Sequence, residues 1–132
     1  YQQALLIRRM VKDLGVPVAI RLMPTVREPD GLAMSSRNAY LTAEERQHAT
    51  VLYRALRAAK ARMRSGERNP RRVIEAMRKL LRQARTVRVD YLAVVDADTL
   101  EPLEALRGDV AILIAARVGS TRLIDNLLVG VS

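Results

Sequence analysis

The sequence predicts an α+β fold: a helical hairpin packed on a small, mostly antiparallel three-stranded sheet, preceded by the helix-strand tail of a Rossmann-like α/β domain. Three observations predict it. Two helical apolar stripes follow one another between residues 42 and 81, three strand-like runs follow between 87 and 131, and a helix-then-strand pattern stands ahead of both across an aperiodic polar stretch. Helices grouped apart from strands point to α+β packing rather than to alternating βαβ units.

Residues 1–14 place Leu5, Leu6, Met10 and Leu14 near one helical face, with Gly15 where a stop is expected. Residues 16–23 are apolar and partly β-branched, broken by Pro17 and Arg21 and bounded by Pro24, so they read as a short strand. Helix, tight turn and strand make half of a βαβ unit. From 24 to 38 periodicity vanishes, and Pro24, Pro29, Asp30, Gly31, Ser35 and Ser36 punctuate a loop. A loop of that length inside a compact domain is uncommon unless functional or disordered, which makes it the place to look for chemistry. The expected division is therefore 1–38 as the tail of an α/β domain and 39–132 as an α+β unit.

Thr42-Ala43-Glu44-Glu45 is a capping box that opens a long helix, with Ala49, Leu52, Leu56, Ala59 and Met63 as its buried stripe and Gly66 as its stop. Asn69-Pro70 supplies a cap and a first-turn proline for a second helix, with Val73, Ile74, Met77, Leu80 and Leu81 facing inward. After Arg85 the period becomes two, and Val87, Val89, Tyr91, Ala93 and Val95 share one face of a strand ending at Asp96. Residues 110–116 form a continuous apolar strand, and 122–131 a third beyond Gly119.

At 132 residues, 49% hydrophobic and 28% charged, the chain has room for one domain and part of another, with enough apolar material for a core. It contains no cysteine, which removes disulfides, thiolate metal sites and a cysteine nucleophile and makes cytoplasm the default compartment. No apolar run approaches the ~20 residues of a membrane span. The first residue is Tyr1, already inside an amphipathic pattern with no capping residue ahead of it, so a cut end is expected. The net charge is +9, nearly all of it from arginine. Such a balance favours polyanionic partners, nucleotides or nucleic acid, although a solvated arginine-rich surface has the same composition.

The densest group of conformationally special polar residues is 27–38. A phosphate-handling loop needs backbone N–H groups free to point at oxygens, hydroxyl donors and a cation of matching geometry, and Gly31, Ser35 with Ser36, and Arg37 supply these. A polar turn leading into a capped helix uses the same letters. The stretch Pro24-Thr25-Val26-Arg27-Glu28-Pro29-Asp30-Gly31-Leu32-Ala33-Met34-Ser35-Ser36-Arg37-Asn38-Ala39-Tyr40-Leu41 resembles the signature loop of pantothenate synthetases almost letter for letter. Tyr1-Gln2-Gln3 resembles that family's Lys-Asp-aromatic-Gln-Gln segment, and Thr121-Arg122-Leu123-Ile124-Asp125-Asn126 its closing strand. The tetrad Met34 to Arg37 is similar to the mobile basic loop of class I aminoacyl-tRNA synthetases, which belong to the same nucleotidyltransferase superfamily.

The resemblance implies an ATP-dependent ligase that condenses pantoate with β-alanine through a pantoyl-adenylate, releasing AMP and pyrophosphate, with ATP used as its Mg²⁺ complex and no prosthetic group. It implies that Met34, Ser35, Ser36 and Arg37 bind the ATP phosphates, with the two serines and Arg37 catalytic. Val26 would hold the adenine through its backbone, and Gln3 would bind pantoate. The full-length enzyme is expected to be a homodimer. The family's His-x-Gly-His motif, its second pantoate-binding glutamine and its Lys-Asp pair have no counterpart in these 132 residues, so the chain alone is expected to be inactive. His48, in a helix beside Gln47, reads as a surface residue and no substitute. The alternative is a small basic nucleic-acid-binding module built on Arg54, Arg57, Arg62, Arg64, Arg71, Arg72, Arg78, Arg82 and Arg85. Against it, only tyrosines offer stacking and no base-reading motif is present.

Overall fold

The computed structural model describes residues 26–131; the helix expected over 1–14, the strand expected over 16–23 and Gln3 lie outside the described residues. Thr42 opens the helical half as its sequence requires: its hydroxyl accepts from the Glu45 N–H at 3.1 Å, and the Glu45 carboxylate accepts from the Thr42 N–H at 3.0 Å. The expected long helix is nevertheless two, α1 (Ala43–Ala49) and α2 (Val51–Arg64). At the break the Thr50 hydroxyl donates to the Gln47 carbonyl at 2.7 Å, a back-bond that competes with the helical ladder. His48 is not a free surface residue either. Half-buried, its Nδ1 lies 2.7 Å from the Thr86 hydroxyl and ties α1 to the segment ahead of the sheet.

α3 (Pro70–Leu81) starts where Asn69 accepts from the Arg71 N–H at 3.0 Å. Leu52, Leu56 and Met63 of α2 and Val73, Met77 and Leu81 of α3 are fully buried on one face of the sheet. Leu80, expected inward, is only half-buried, because positions 73, 77 and 81 form the stripe and leave it on the flank.

The sheet consists of β1 (Val87–Asp96), β2 (Gly108–Val118) and β3 (Thr121–Val131), in that spatial order and antiparallel throughout. The predicted α+β class holds, with β2 and β3 a little longer than read. β1 departs from its predicted face. Its register jumps from Val89 opposite Ala116 to Tyr91 opposite Ala115, leaving Asp90 as an extra residue. One inserted residue inverts every later side chain. Val87 and Val89 therefore join Leu92 and Val94 against the helices, while Ala93 and Val95 pack on the opposite face with Ala111 and Leu113. The freed Asp90 carboxylate lies 3.4 Å from Arg117 and 3.2 Å from Arg122.

Gly119 turns β2 into β3 with φ +61, and Ser120 is not in the positive-φ region, the type II′ pattern. A Cβ at Gly119 would collide with the Glu45 carboxylate, so the turn seats against the cap of α1. Among the described residues no helix is long and apolar enough to cross a membrane.

Candidate functional site

The segment read from sequence as an aperiodic loop is ordered by a small hairpin. Pro29 presets the turn, and Gly31, at φ +94, completes it. The Gly31 N–H donates to the Glu28 carbonyl at 2.9 Å, the Glu28 N–H to Leu32 at 2.8 Å, and the Met34 N–H to Val26 at 2.9 Å. This is a type I turn with a glycine bulge. Glycine is required twice over, since a Cβ on it would come within 2.5 Å of the Tyr53 ring.

After the hairpin, Ser35 accepts from the Arg37 N–H at 3.1 Å and starts a 3₁₀ turn over Ser36–Tyr40. Asn38 is buried inside this turn; its amide donates to the Ala33 carbonyl at 3.0 Å, and its Oδ1 has no hydrogen-bond partner among the described residues. Met34, Ser35, Ser36 and Arg37 are all exposed.

The hairpin is tied to β3 by Arg27. Its guanidinium donates to both Asp125 oxygens, at 2.6 and 3.0 Å, and to the Gly31 and Asn126 carbonyls, each at 3.2 Å. It also stacks 4.0 Å from the centre of the Tyr53 ring. Arg46 of α1 adds weaker pairs to Glu28 at 3.6 Å and Asp30 at 3.5 Å. Further along the same strand, Arg37 donates to the Arg122 carbonyl at 3.2 Å.

Between loop and strand lies a cleft of about 360 Å³, with Met34, Ser35, Arg37 and Asn38 on one side and Leu123, Asp125 and Asn126 among the β3 residues on the other. Of the sequence-derived candidates, the fold brings Met34, Ser35 and Arg37 to this cleft. Ser36 and Val26 are not in its lining. Val26 is exposed, and its carbonyl already accepts from Met34. The chemistry offered is anion binding: the Ser35 hydroxyl and the Arg37 and Arg122 guanidinium groups line the cleft, and Asp125, the one carboxylate among the lining residues, is engaged by Arg27.

Sequence reasoning quoted Arg27, Asn38 and Asp125 within motifs but gave them no role. A signal for Asp125 was present. It falls in the inward alternation Leu123, Asp125, Leu127, Val129, where a carboxylate needs a partner. Tyr53 carried no such signal, because a tyrosine within a helical apolar stripe is ordinary.

The family model for pantoate-beta-alanine ligase matches residues 1–128. The pantothenate synthetase of Moorella thermoacetica is 51% identical over 132 residues, all of this chain and 47% of that protein. The crystal structure of pantothenate synthetase from Thermus thermophilus superposes with a TM-score of 0.90 at 47% identity, over 96% of this chain and 46% of that one. The pantoate-beta-alanine ligase of Francisella tularensis, complexed with beta-gamma ATP and beta-alanine, matches with a TM-score of 0.59 at 28% identity, over 97% of this chain and 40% of that one. The chain thus spans about half the length of the curated relatives it matches.

Proposed function

Because the chain belongs to the pantoate-β-alanine ligase family, we propose that it supplies the phosphate-closing wall of an ATP-dependent ligase that joins pantoate to β-alanine. The observation that carries this reading is the cleft in which Ser35 and Arg37 stand accessible beside Met34 while the neighbouring carboxylate is neutralised. In the proposed reaction the pantoate carboxylate attacks the α-phosphorus of ATP, forming the acyl-phosphate bond and expelling pyrophosphate. The β-alanine amine then attacks the acyl carbon and AMP leaves.

Negative charge moves toward pyrophosphate in the first step, so a guanidinium and hydroxyl donors placed there act most strongly in the transition state. Arg37, Ser35 and Ser36 have that role in the proposal, with Met34 beside them. Val26 contacts adenine through its backbone and Gln3 binds pantoate, both on the strength of the family's motif. Mg²⁺ enters on the triphosphate as part of the substrate, as the family resemblance implies. The unit 39–132 acts as a lid on the nucleotide-binding part of a cytoplasmic homodimeric enzyme, bringing Arg37 over the nucleotide and excluding water from the mixed anhydride.

Arg37→Ala in the full-length enzyme tests the reading. Single-turnover adenylate formation is expected to fall on the order of 10²- to 10³-fold while the ATP Kd moves only a few-fold. A large loss of ATP binding with an unchanged rate at saturating ATP would overturn the transition-state role. The chain by itself is expected to release no AMP from ATP, pantoate, β-alanine and Mg²⁺.

A further inference from the structure

We propose that Arg27 and Asp125 are positioning residues for the Met34–Arg37 segment, holding it against β3. The inference rests on the reading of that segment given under Proposed function, but its geometry stands alone. The Arg27 guanidinium meets Asp125 in a two-point fork, caps the Gly31 and Asn126 carbonyls and lies on the Tyr53 ring. One side chain thereby joins the hairpin turn, strand β3 and helix α2.

Stability alone does not account for the pair. Asp125 occupies a position where β3 otherwise turns Leu123, Leu127 and Val129 toward the helices. An apolar side chain there would avoid the desolvation of a carboxylate that is 6% exposed, and replacing buried ion pairs by apolar groups is often neutral or stabilising. A forked pair adds direction instead: it fixes where the hairpin sits along the strand.

That placement is transmitted to Arg37. The Met34 N–H bonds Val26 across the hairpin, next to Arg27, so fixing Arg27 fixes Met34. On the far side, Asn38 is bonded to the Ala33 carbonyl. Ser35, Ser36 and Arg37 therefore span two pinned points. Arg37 itself lies on the Arg122 carbonyl of the strand that carries Asp125.

The test compares Asp125→Asn, which keeps size and removes charge, with Arg27→Lys, which keeps charge and removes the fork; either suffices if the other fails to fold. Amide exchange on the chain is expected to speed up at Glu28, Gly31 and Met34 by at least about tenfold, with Ile112 and Ile114 of β2 unchanged. In the full-length enzyme, adenylate formation is expected to fall on the order of 10- to 100-fold, and the same substitution placed on Arg37→Ala should cost less than about threefold more. Unchanged loop exchange would overturn the proposal. So would loop and β2 amides losing protection together, or a rate loss that multiplies fully with that of Arg37→Ala. A silent Arg37→Ala would strike the phosphate-loop reading alone, since the exchange comparison still decides whether the pair holds the loop.

Discussion

Gly31 and Asp125 show how single positions carry the site. At Gly31 two constraints coincide, a positive φ that side chains disfavour and a Tyr53 ring occupying the place of a Cβ. Gly31→Ala is therefore expected to cost about 1–3 kcal/mol, released by undocking the hairpin rather than by deforming α2. Amide exchange should show faster opening at Leu32 and Met34 with α2 intact, and an unshifted exchange pattern would contradict the steric account. The glycine was legible in the sequence as a turn residue. Its second constraint was not, because Tyr53 lies in another element. Asp125 is the converse: its inward position could be read from alternation, but its partner, 98 residues away along the chain, could not.

Among the elements, the helix starts were the most legible, since capping chemistry is local. Thr42 with Glu45, and Asn69 with Pro70, perform as their letters require. Thr42→Ala removes the hydroxyl acceptor at the start of α1 and is expected to cost about 1 kcal/mol, seen as a lowered midpoint in urea with an unchanged slope. Because Glu45 also backs the Gly119 turn, a loss well above that figure would show that the cap and the β2–β3 hairpin are coupled. The breaks inside elements were less legible. Thr50 divides a helix whose apolar stripe runs on unbroken, and the Asp90 bulge inverts a strand whose alternation looks regular. Period-two spacing is identical on either side of an inserted residue. Only the pairing with β2 shows which face each half presents.

At the scale of the whole molecule, the core of the described residues is the layer between the helical hairpin and the sheet. Leu56, fully buried there, is expected to cost about 2–5 kcal/mol when replaced by alanine, whereas Ile124→Ser, at a position 64% exposed on the opposite face, should stay within about 0.5 kcal/mol. Equal losses in chemical denaturation would mean that the two faces of the sheet are covered alike. The same layer positions the candidate site, since α2 and β3 hold the hairpin from two sides through Tyr53 and Asp125. By itself the sequence determined the fold class, the order of helices before strands from residue 42 onward, the helix caps and the segment bearing Ser35, Ser36 and Arg37, because each follows from periodicity, local hydrogen bonding or a contiguous motif. The tertiary structure alone decided that Asp90 inverts β1, that Thr50 breaks the long helix, and that Arg27 reaches Asp125 to set the loop on the edge of β3. Those outcomes depend on partners distant in sequence, whose burial and pairing appear only once the helices are laid on the sheet.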